Sequence, residues 1–545
     1  MTIAALAQGT VGLYAAYAAV QAPMLAGLAR GGARLRDYLK SPLLAVPATA
    51  LVGVAASVGR SLLASAGIGD VAAITFGASI ALSGALGYTG GRLLADAGRS
   101  TGIPGRGSVL DEDPAPRRAS RRDADHADAR APVHLAGLEV PRGDEAKHFK
   151  LIGTTGTGKS TAIRELLGDA LRRGDRAVVA DPDGGYLDRF YDPERGDVIL
   201  NPFDRRARRW DLFGEIDNDY DVDQLARALI PDHAGPERSW RDYARTFFAA
   251  VTAQARQAGV RDVGELYRLL VVADVAELRV LVGGTPAQPF LDEHNARMFD
   301  SVRSVTSAAV GALQYVANSS AEPLSVRRWI ASGERGVLFL PYAAGQIPAL
   351  RNTISAWMRL GIFEAMNPDT TAVGSPDRRR PLWFVVDELD ALGPIDGLKD
   401  ALARLRKFDA RCVLGFQSIA QVSNTYGHGE AHTIVENCGN TLILRCSASE
   451  GGGTAKFASQ LIGDREVRRI TVSRSRRATE FLGVTTRSEH FSIEPALLPS
   501  QIERLPDLRG YLKHASAGSW RRVDLEADTS SDRIPRAFDA GFDHE

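Results

Sequence analysis

Gly153-Thr154-Thr155-Gly156-Thr157-Gly158-Lys159-Ser160 is the stretch on which the fold of this chain turns. Glycines at this spacing let the backbone curl until successive N–H groups point at phosphate oxygens. In such a loop Lys159 reaches the β and γ phosphates, the Ser160 hydroxyl is a Mg²⁺ ligand, and Thr161 completes the candidate nucleotide-binding set Gly153 to Thr161. The flanks agree. An apolar strand leads into the loop from His148, and Ala162-Ile163-Arg164-Glu165-Leu166-Leu167 opens a helix whose positive end faces the anion. The expected cofactors are ATP and Mg²⁺. The competing reading is a Gly-rich turn that holds no nucleotide.

A second stretch, Trp383-Phe384-Val385-Val386-Asp387-Glu388, reads as a buried strand with two carboxylates at its C-terminal end, where open α/β sheets bind ligands. Taken alone, an apolar run ending in two acids is common. Beside a phosphate loop it acquires roles: Asp387 holds Mg²⁺ through water, and Glu388 is the catalytic group that orients and polarises the attacking water. Gln417 ends the next strand, Val413-Leu414-Gly415-Phe416, and is a candidate catalytic residue that senses the γ-phosphate or holds water; the competing reading is a polar pair with Ser418 that starts a helix. Arg404 and Arg406 follow the acid pair on a helix expected at the nucleotide-side edge of the sheet. Arg406 is the candidate for reaching a neighbouring subunit's γ-phosphate. Basic clusters at Arg205, Arg206, Arg208 and Arg209, and at Arg465, Arg468, Arg469, Arg474, Arg476 and Arg477, read either as solvated surface or as contacts to phosphodiester or anionic lipid.

Strands alternating with helices predict a mainly parallel, doubly wound α/β sheet. They are expected at 148–153, 176–181, 198–201, 336–342, 382–387, 412–417 and 441–446. No strand is expected between Phe213 and Ile330. The fold class is therefore a RecA-like P-loop NTPase sheet, at 133–212 and 331–520, with an inserted all-α domain at 213–330. A C-terminal tail follows at 521–545. Residues 98–132, rich in Gly, Pro, Arg, Asp and Ala, are expected to be a flexible linker.

The first 97 residues form an expected membrane-anchoring segment. Two apolar runs, near 43–64 and 71–95, approach the roughly 20 residues that span a bilayer core, with Gly67-Ile68-Gly69-Asp70 as the turn. Arg30, Arg34, Arg36 and Lys40 precede the pair, and Arg92 and Arg99 follow it, so both ends are expected in the cytoplasm. Residues 3–29 are a third span, an interfacial helix, or a helix packed on the hairpin. They lack a charged stretch ahead of the apolar run, which argues against a cleaved signal peptide. The other expectation for the pair of apolar runs is a buried helical hairpin of a soluble domain.

Bulk numbers narrow the remaining choices. The 545 residues carry 66 basic and 66 acidic side chains, formal net charge +0, so nucleic-acid contact must come from local basic patches. The 3 cysteines, Cys412, Cys438 and Cys446, form no CxxC pair and read as reduced, buried thiols rather than a zinc site. Neither a guanine-reading Asn-Lys-x-Asp nor an ABC-type Leu-Ser-Gly-Gly-Gln occurs.

The chain resembles the coupling proteins of conjugation and type IV secretion, in the TraD-like group. The resemblance runs over most of its length. It includes the N-terminal apolar segment, His148-Phe149 ahead of the phosphate loop, Asp181-Pro182-Asp183-Gly184, and Asn201-Pro202-Phe203-Asp204 with Trp210 and Phe213. It continues with Asp387-Glu388, Arg406-Lys407, Gly415-Phe416-Gln417-Ser418, Tyr426-Gly427 and Leu505-Pro506-Asp507-Leu508. One departure is the short first span, interrupted by Arg60. The resemblance implies a homo-hexameric ATPase of the bacterial inner membrane, the bulk of it cytoplasmic. It would take a relaxase–DNA complex from the relaxosome and drive single-stranded DNA toward type IV secretion channel components. Alternatives are a membrane-anchored double-stranded DNA translocase of segregation or pilus type, or a nucleotide-binding adaptor that does not hydrolyse.

Overall fold

The computed structural model describes residues 3–30, 33, 35–66, 71–96, 103–111, 131–232, 238–368, 380–449, 452–475 and 484–527. It divides into two compact units, 1–106 with 466–494, and 107–465 with 495–545. The strands in chain order are β1 (Ile103–Gly107), β2 (Val109–Asp111), β3 (His134–Leu135), β4 (Leu138–Glu139), β5 (Phe149–Ile152), β6 (Arg176–Pro182), β7 (Val198–Ile199), β8 (Arg209–Trp210) and β9 (Pro323–Leu324). They continue as β10 (Val337–Tyr342), β11 (Leu382–Val386), β12 (Ala410–Phe416), β13 (Asn440–Ile443), β14 (Asp464–Ser475), β15 (Val484–Pro495), β16 (Arg509–Lys513) and β17 (Ser519–Asp524).

In the larger unit a 10-stranded sheet runs β2-β17-β16-β13-β5-β12-β11-β6-β10-β7. From β13 to β7 every pairing is parallel, while β13–β16 and β16–β17 are antiparallel. The central strands are buried along their whole length because both faces are covered. Side chains alternate across β11: Trp383 and Val385 join the core beneath helix Lys159–Arg173, whereas Phe384 and Val386 join the core on the other face. Each such side chain contributes about 1.5–3 kcal/mol by leaving water. Helix Lys159–Arg173 sends Ile163, Leu166, Leu167 and Ala170 into that core at helical spacing. It stops at Gly174, whose left-handed backbone lets its N–H cap the carbonyls of Ala170 and Leu171.

The inserted region is helical, including Asp219–Leu229, Arg238–Gln257 and Ala296–Val310, packed through Phe247 and Phe299. One expectation needs correcting: β9 lies inside the interval 213–330 and pairs in parallel with β8, so a two-residue strand closes its base. Glu215, fully buried, fastens that base. Its carboxylate accepts from Trp210 Nε1 (2.9 Å), Ser325 Oγ (2.9 Å), Val326 N (2.7 Å) and Arg327 N (3.0 Å). Such a cross-link between residues more than a hundred positions apart leaves no local pattern in the sequence.

Two further boundaries differ from expectation. Within 98–132, residues 103–111 form β1 and β2, and β2 pairs with β17; residues 98–102 and 112–130 lie outside the described residues. Within 521–545, β17 continues to Asp524 and Leu525 is buried; 528–545 lie outside the described residues. β2, β16 and β17 extend one side of the sheet.

The smaller unit holds α1 (Ile3–Arg30), α2 (Leu35–Ser65) and α3 (Val71–Asp96), with a three-stranded sheet of order β1-β14-β15. Residues 3–30 are a helix packed along α3. Contact is close enough that a Cβ at Gly27, Gly87 or Gly91 would lie 2.4, 2.3 or 2.2 Å from a carbonyl oxygen of the other helix. Val20, Met24 and Leu28, at helical spacing, are buried. Among the described residues, one helix, Asp37–Ser65, is long and apolar enough to cross a membrane by length and composition. The expected turn at 67–70 lies outside the described residues. The long strands β14 and β15 carry no expectation from the sequence, where Arg465 to Arg477 reads as charge rather than alternation.

Candidate active site at the C-terminal edge of the sheet

β5 is held between β12 and β13, and all four of its side chains are buried, so its C-terminal end is fixed on both sides. The chain leaves it as the phosphate loop. Gly153 N donates to Phe416 O (3.3 Å) and Thr154 N to Arg445 O (2.8 Å). Gly156 and Gly158 have φ of 77° and 113°, which a side chain resists. Thr157 Oγ1 closes the loop on Thr154 O at 2.7 Å, and Leu508 N donates to Thr157 O at 3.0 Å. Lys159 opens the helix. Its ammonium donates to Gly153 O (2.6 Å) and Thr154 O (3.3 Å). Burial pulls its pKa down, while the charges of Asp387 and Glu388 hold it up.

β11 delivers the acid pair beside this loop. Ser160 Oγ donates to Asp387 Oδ2 at 2.6 Å. Asp387 is 3% exposed, and its Oδ1 has no hydrogen-bond partner among the described residues. A buried carboxylate oxygen left bare beside a hydroxyl that keeps its lone pairs is the donor set of a hard divalent cation. Ser160 and Asp387 therefore fit Mg²⁺.

Glu388 is half-buried. Burial raises its pKa, as do Asp387 and Asp390, against the Gln417 hydrogen bond and Lys159. Gln417 Nε2 donates to Glu388 Oε1 at 3.1 Å, and Gln417 Oε1 accepts from Thr155 Oγ1 at 2.8 Å. The amide thus ties the Glu388 carboxylate to the phosphate loop. The two neighbouring strand tips bring Gln417 and Glu388 together.

Arg406 stands elsewhere. It sits in the turn Arg406–Phe408 after helix Leu398–Leu405 and before β12, exposed, with no ion pair among the described residues. The expectation of a nucleotide-side position is corrected by topology. The helix crosses from the C-terminal end of β11 to the N-terminal end of β12, so Arg406 lies about 20 Å from the loop of its own chain, at about 3.3 Å per strand residue. Arg404 is exposed on the same helix. The basic clusters are partly neutralised: Arg206 pairs with Asp204 (2.7 Å), Arg208 with Glu322, Arg468 with Glu489 and Arg469 with Glu494 (2.7 Å). Arg476 and Arg477 lie outside the described residues. All three cysteines are buried and free, and burial pushes the Cys438 and Cys446 thiols up to about 12.

Sequence reading missed Tyr186. Its hydroxyl donates to Asp387 Oδ2 at 2.8 Å, and it is 1% exposed. It is presented by the turn after β6, where Asp183 and Gly184 take φ of 57° and 71°. Asp181 accepts from Tyr186 N (3.0 Å) and Leu187 N (2.7 Å); burial pushes its carboxyl up to about 7 despite these donors. Asp181-Pro182-Asp183-Gly184 signalled a turn, but nothing in it indicated which way the next side chain points.

Comparison with known proteins places this geometry in context. Residues 132–526 match the family described as type IV secretion-system coupling protein DNA-binding domain. The chain is 30% identical over 386 residues to coupling protein TraD of Escherichia coli (strain K12), covering 70% of this chain and 52% of TraD. It is 28% identical over 217 residues to type IV secretion system-coupling protein VirD4 of Bartonella henselae, covering 38% of this chain and 32% of VirD4. It thus matches about half of the first relative's length and 32% of the second's. Among solved structures it is similar to plasmid coupling protein TrwB in complex with the non-hydrolysable ATP analogue ADPNP, with TM-score 0.68, 29% identity, and coverage of 80% of this chain and 98% of that one. It is similar also to TrwB in complex with ADP and Mg²⁺, with TM-score 0.66, 29% identity, and coverage of 80% and 97%.

Proposed function

The chain belongs to the type IV secretion-system coupling proteins, and on that premise we propose that it is a membrane-anchored ATPase that drives single-stranded DNA from a relaxase complex toward a secretion channel. The observation that carries the hydrolytic part is the linked set at one sheet edge: Ser160 on Asp387, and Thr155 to Gln417 to Glu388. A pure binding adaptor has no need of a half-buried carboxylate held by an amide against the phosphate loop. The relative TrwB, solved with ADPNP and with ADP and Mg²⁺, supports the choice of nucleotide and metal.

Each residue has a task in this reading. The glycine-bent backbone of 153–158 and the start of the following helix receive phosphate. Lys159 adds a fixed positive charge. Ser160 and Asp387 hold the metal, which when bound neutralises charge developing on the phosphate oxygens. Glu388 accepts a proton from the attacking water, and its raised pKa suits a proton acceptor working near neutral pH. Gln417 keeps Glu388 turned toward the loop. Arg406 is too far from its own loop to act there, so it serves a neighbour's nucleotide in a homo-hexamer. Helix Asp37–Ser65 anchors the chain in the bacterial inner membrane lipid, and the insertion 213–330 engages DNA or the relaxase.

The test uses the full chain, extracted from membranes with detergent. ATP hydrolysis is measured alone, with single-stranded DNA and with duplex DNA. Recovery in the membrane fraction, and stronger stimulation by single strands, are expected. Lys159→Ala should abolish hydrolysis with the fold intact. Glu388→Gln should bind ATP and turn it over very slowly. Near-normal turnover in both variants sinks the motor assignment; preference for duplex DNA sinks the single-strand assignment.

A further inference from the structure

We propose that Tyr186 is a positioning residue for the metal carboxylate: its hydroxyl pins Asp387 Oδ2 so that Oδ1 is presented bare to the divalent cation. The inference rests on the nucleotide–metal reading above and adds to it a residue outside both motifs.

A carboxylate rotates softly about its last bond, because that torsion has broad wells. A carboxylate that must meet a metal or its bound water at one oxygen therefore needs its rotation fixed. At Asp387 two hydroxyls converge on Oδ2, Ser160 Oγ at 2.6 Å and Tyr186 OH at 2.8 Å, from two different elements. None reaches Oδ1, which is buried. Gly415 on β12 makes room for it, since a Cβ there would lie 2.9 Å from Oδ1 and 2.4 Å from the Asp387 carbonyl oxygen.

The two donors are not equivalent. Ser160 donates from the hydroxyl whose own oxygen would hold the metal, so it is not an independent anchor. Tyr186 also lies within hydrogen-bond reach of Ser160, but its oxygen is not a metal ligand in this reading. Its ring is locked in the core with Ala162, Ile163 and Leu166, and the Arg164 guanidinium lies 5.7 Å from its centroid. Its backbone is held by Asp181, and the β6–β11 register, Ala180 beside Val386, sets Asp181 level with Asp387. The turn after one strand thus aims a rigid hydroxyl over the tip of the next.

The experiment measures Mg²⁺ dependence of nucleotide binding in the full chain, by fluorescence of a labelled ATP, with hydrolysis as a second readout. Tyr186→Phe keeps the ring and removes only the hydroxyl. Its affinity for the nucleotide without metal should equal wild type. The Mg²⁺ concentration for half-maximal enhancement should rise about tenfold, the scale of one hydrogen bond to a charged group. Hydrolysis should recover at saturating Mg²⁺. Asp181→Asn, which keeps one acceptor for the turn, should shift the same way by less, and covers the case in which the phenylalanine variant misfolds. An unchanged Mg²⁺ requirement in a folded Tyr186→Phe protein, or an equal loss of affinity with and without metal, overturns the proposal. Wild type that binds no nucleotide at all instead overturns the reading on which it rests.

Discussion

Replacing Gln417 by alanine removes two bonds at once: the 3.1 Å donor to Glu388 Oε1 and the 2.8 Å acceptor of the Thr155 hydroxyl. The Glu388 carboxyl is already raised by burial and by Asp387 and Asp390, and the Gln417 donor opposes that rise. Without it the carboxyl rises further. The sign then follows. The working form of Glu388 is ionised, so a higher pKa means that activity is lost at a higher pH on acidification. A hydrogen bond to a charged group is worth about 1.5–3 kcal/mol, and partial exposure puts this one at the low end. The rate falls because Glu388 loses its orientation on the attacking water, and a loss of positioning of about 1.5 kcal/mol is close to tenfold in rate. Phosphate release measured between about pH 5.5 and 9 should therefore show a roughly tenfold lower plateau and an acid limb displaced upward. Thr155→Val, which loosens the amide without removing its donor, should move both in the same direction by less. A Gln417→Ala protein with the wild-type acid limb would refute the reasoning. So would a fall in ATP affinity equal to the fall in rate, which would make Gln417 a nucleotide contact instead.

Arg406→Ala should bind ATP as wild type does but hydrolyse it poorly even with DNA, a guanidinium on the transferred phosphate being worth 10³–10⁵ in the best-studied cases. Mixing it with Lys159→Ala subunits should restore some hydrolysis, because some interfaces pair a sound loop with a sound arginine; mixed rings as inactive as either parent would leave Arg406 a surface arginine. Glu215→Gln should lower the unfolding midpoint by a few degrees, because an amide N–H₂ then faces buried donors such as Arg327 N, at about 1–3 kcal/mol for an unsatisfied group; an unchanged calorimetric midpoint would show that the insertion base is not fastened there.

The sequence by itself determined what is written in short stretches of backbone. The phosphate loop needs positive φ at Gly156 and Gly158 and a buried strand before them, and all of that lies within a dozen residues. The acid pair was legible because a continuous apolar run must be a strand covered on both faces, and its last residues must emerge at the ligand edge. The amide of Gln417 followed from the same logic on β12. Residues whose partners depend on which strands lie side by side were not legible. Tyr186 is 201 positions from Asp387 and meets it because β6 packs beside β11, a choice made by the sheet order as a whole. The same holds for Glu215 and its clasp on Ser325 to Arg327, and for β2 closing on β17 out of a stretch whose composition reads as a linker. Arg406 was legible as a residue but not as a place, because only the crossing from β11 to β12 puts it at the far edge. In the N-terminal helices, hydropathy marked the helices and left packing on the hairpin as one of three readings for α1, but not α3 as its partner. That pairing depends on Gly27, Gly87 and Gly91 lying where two backbones touch, and closeness of backbones is a property of the packed pair rather than of either helix.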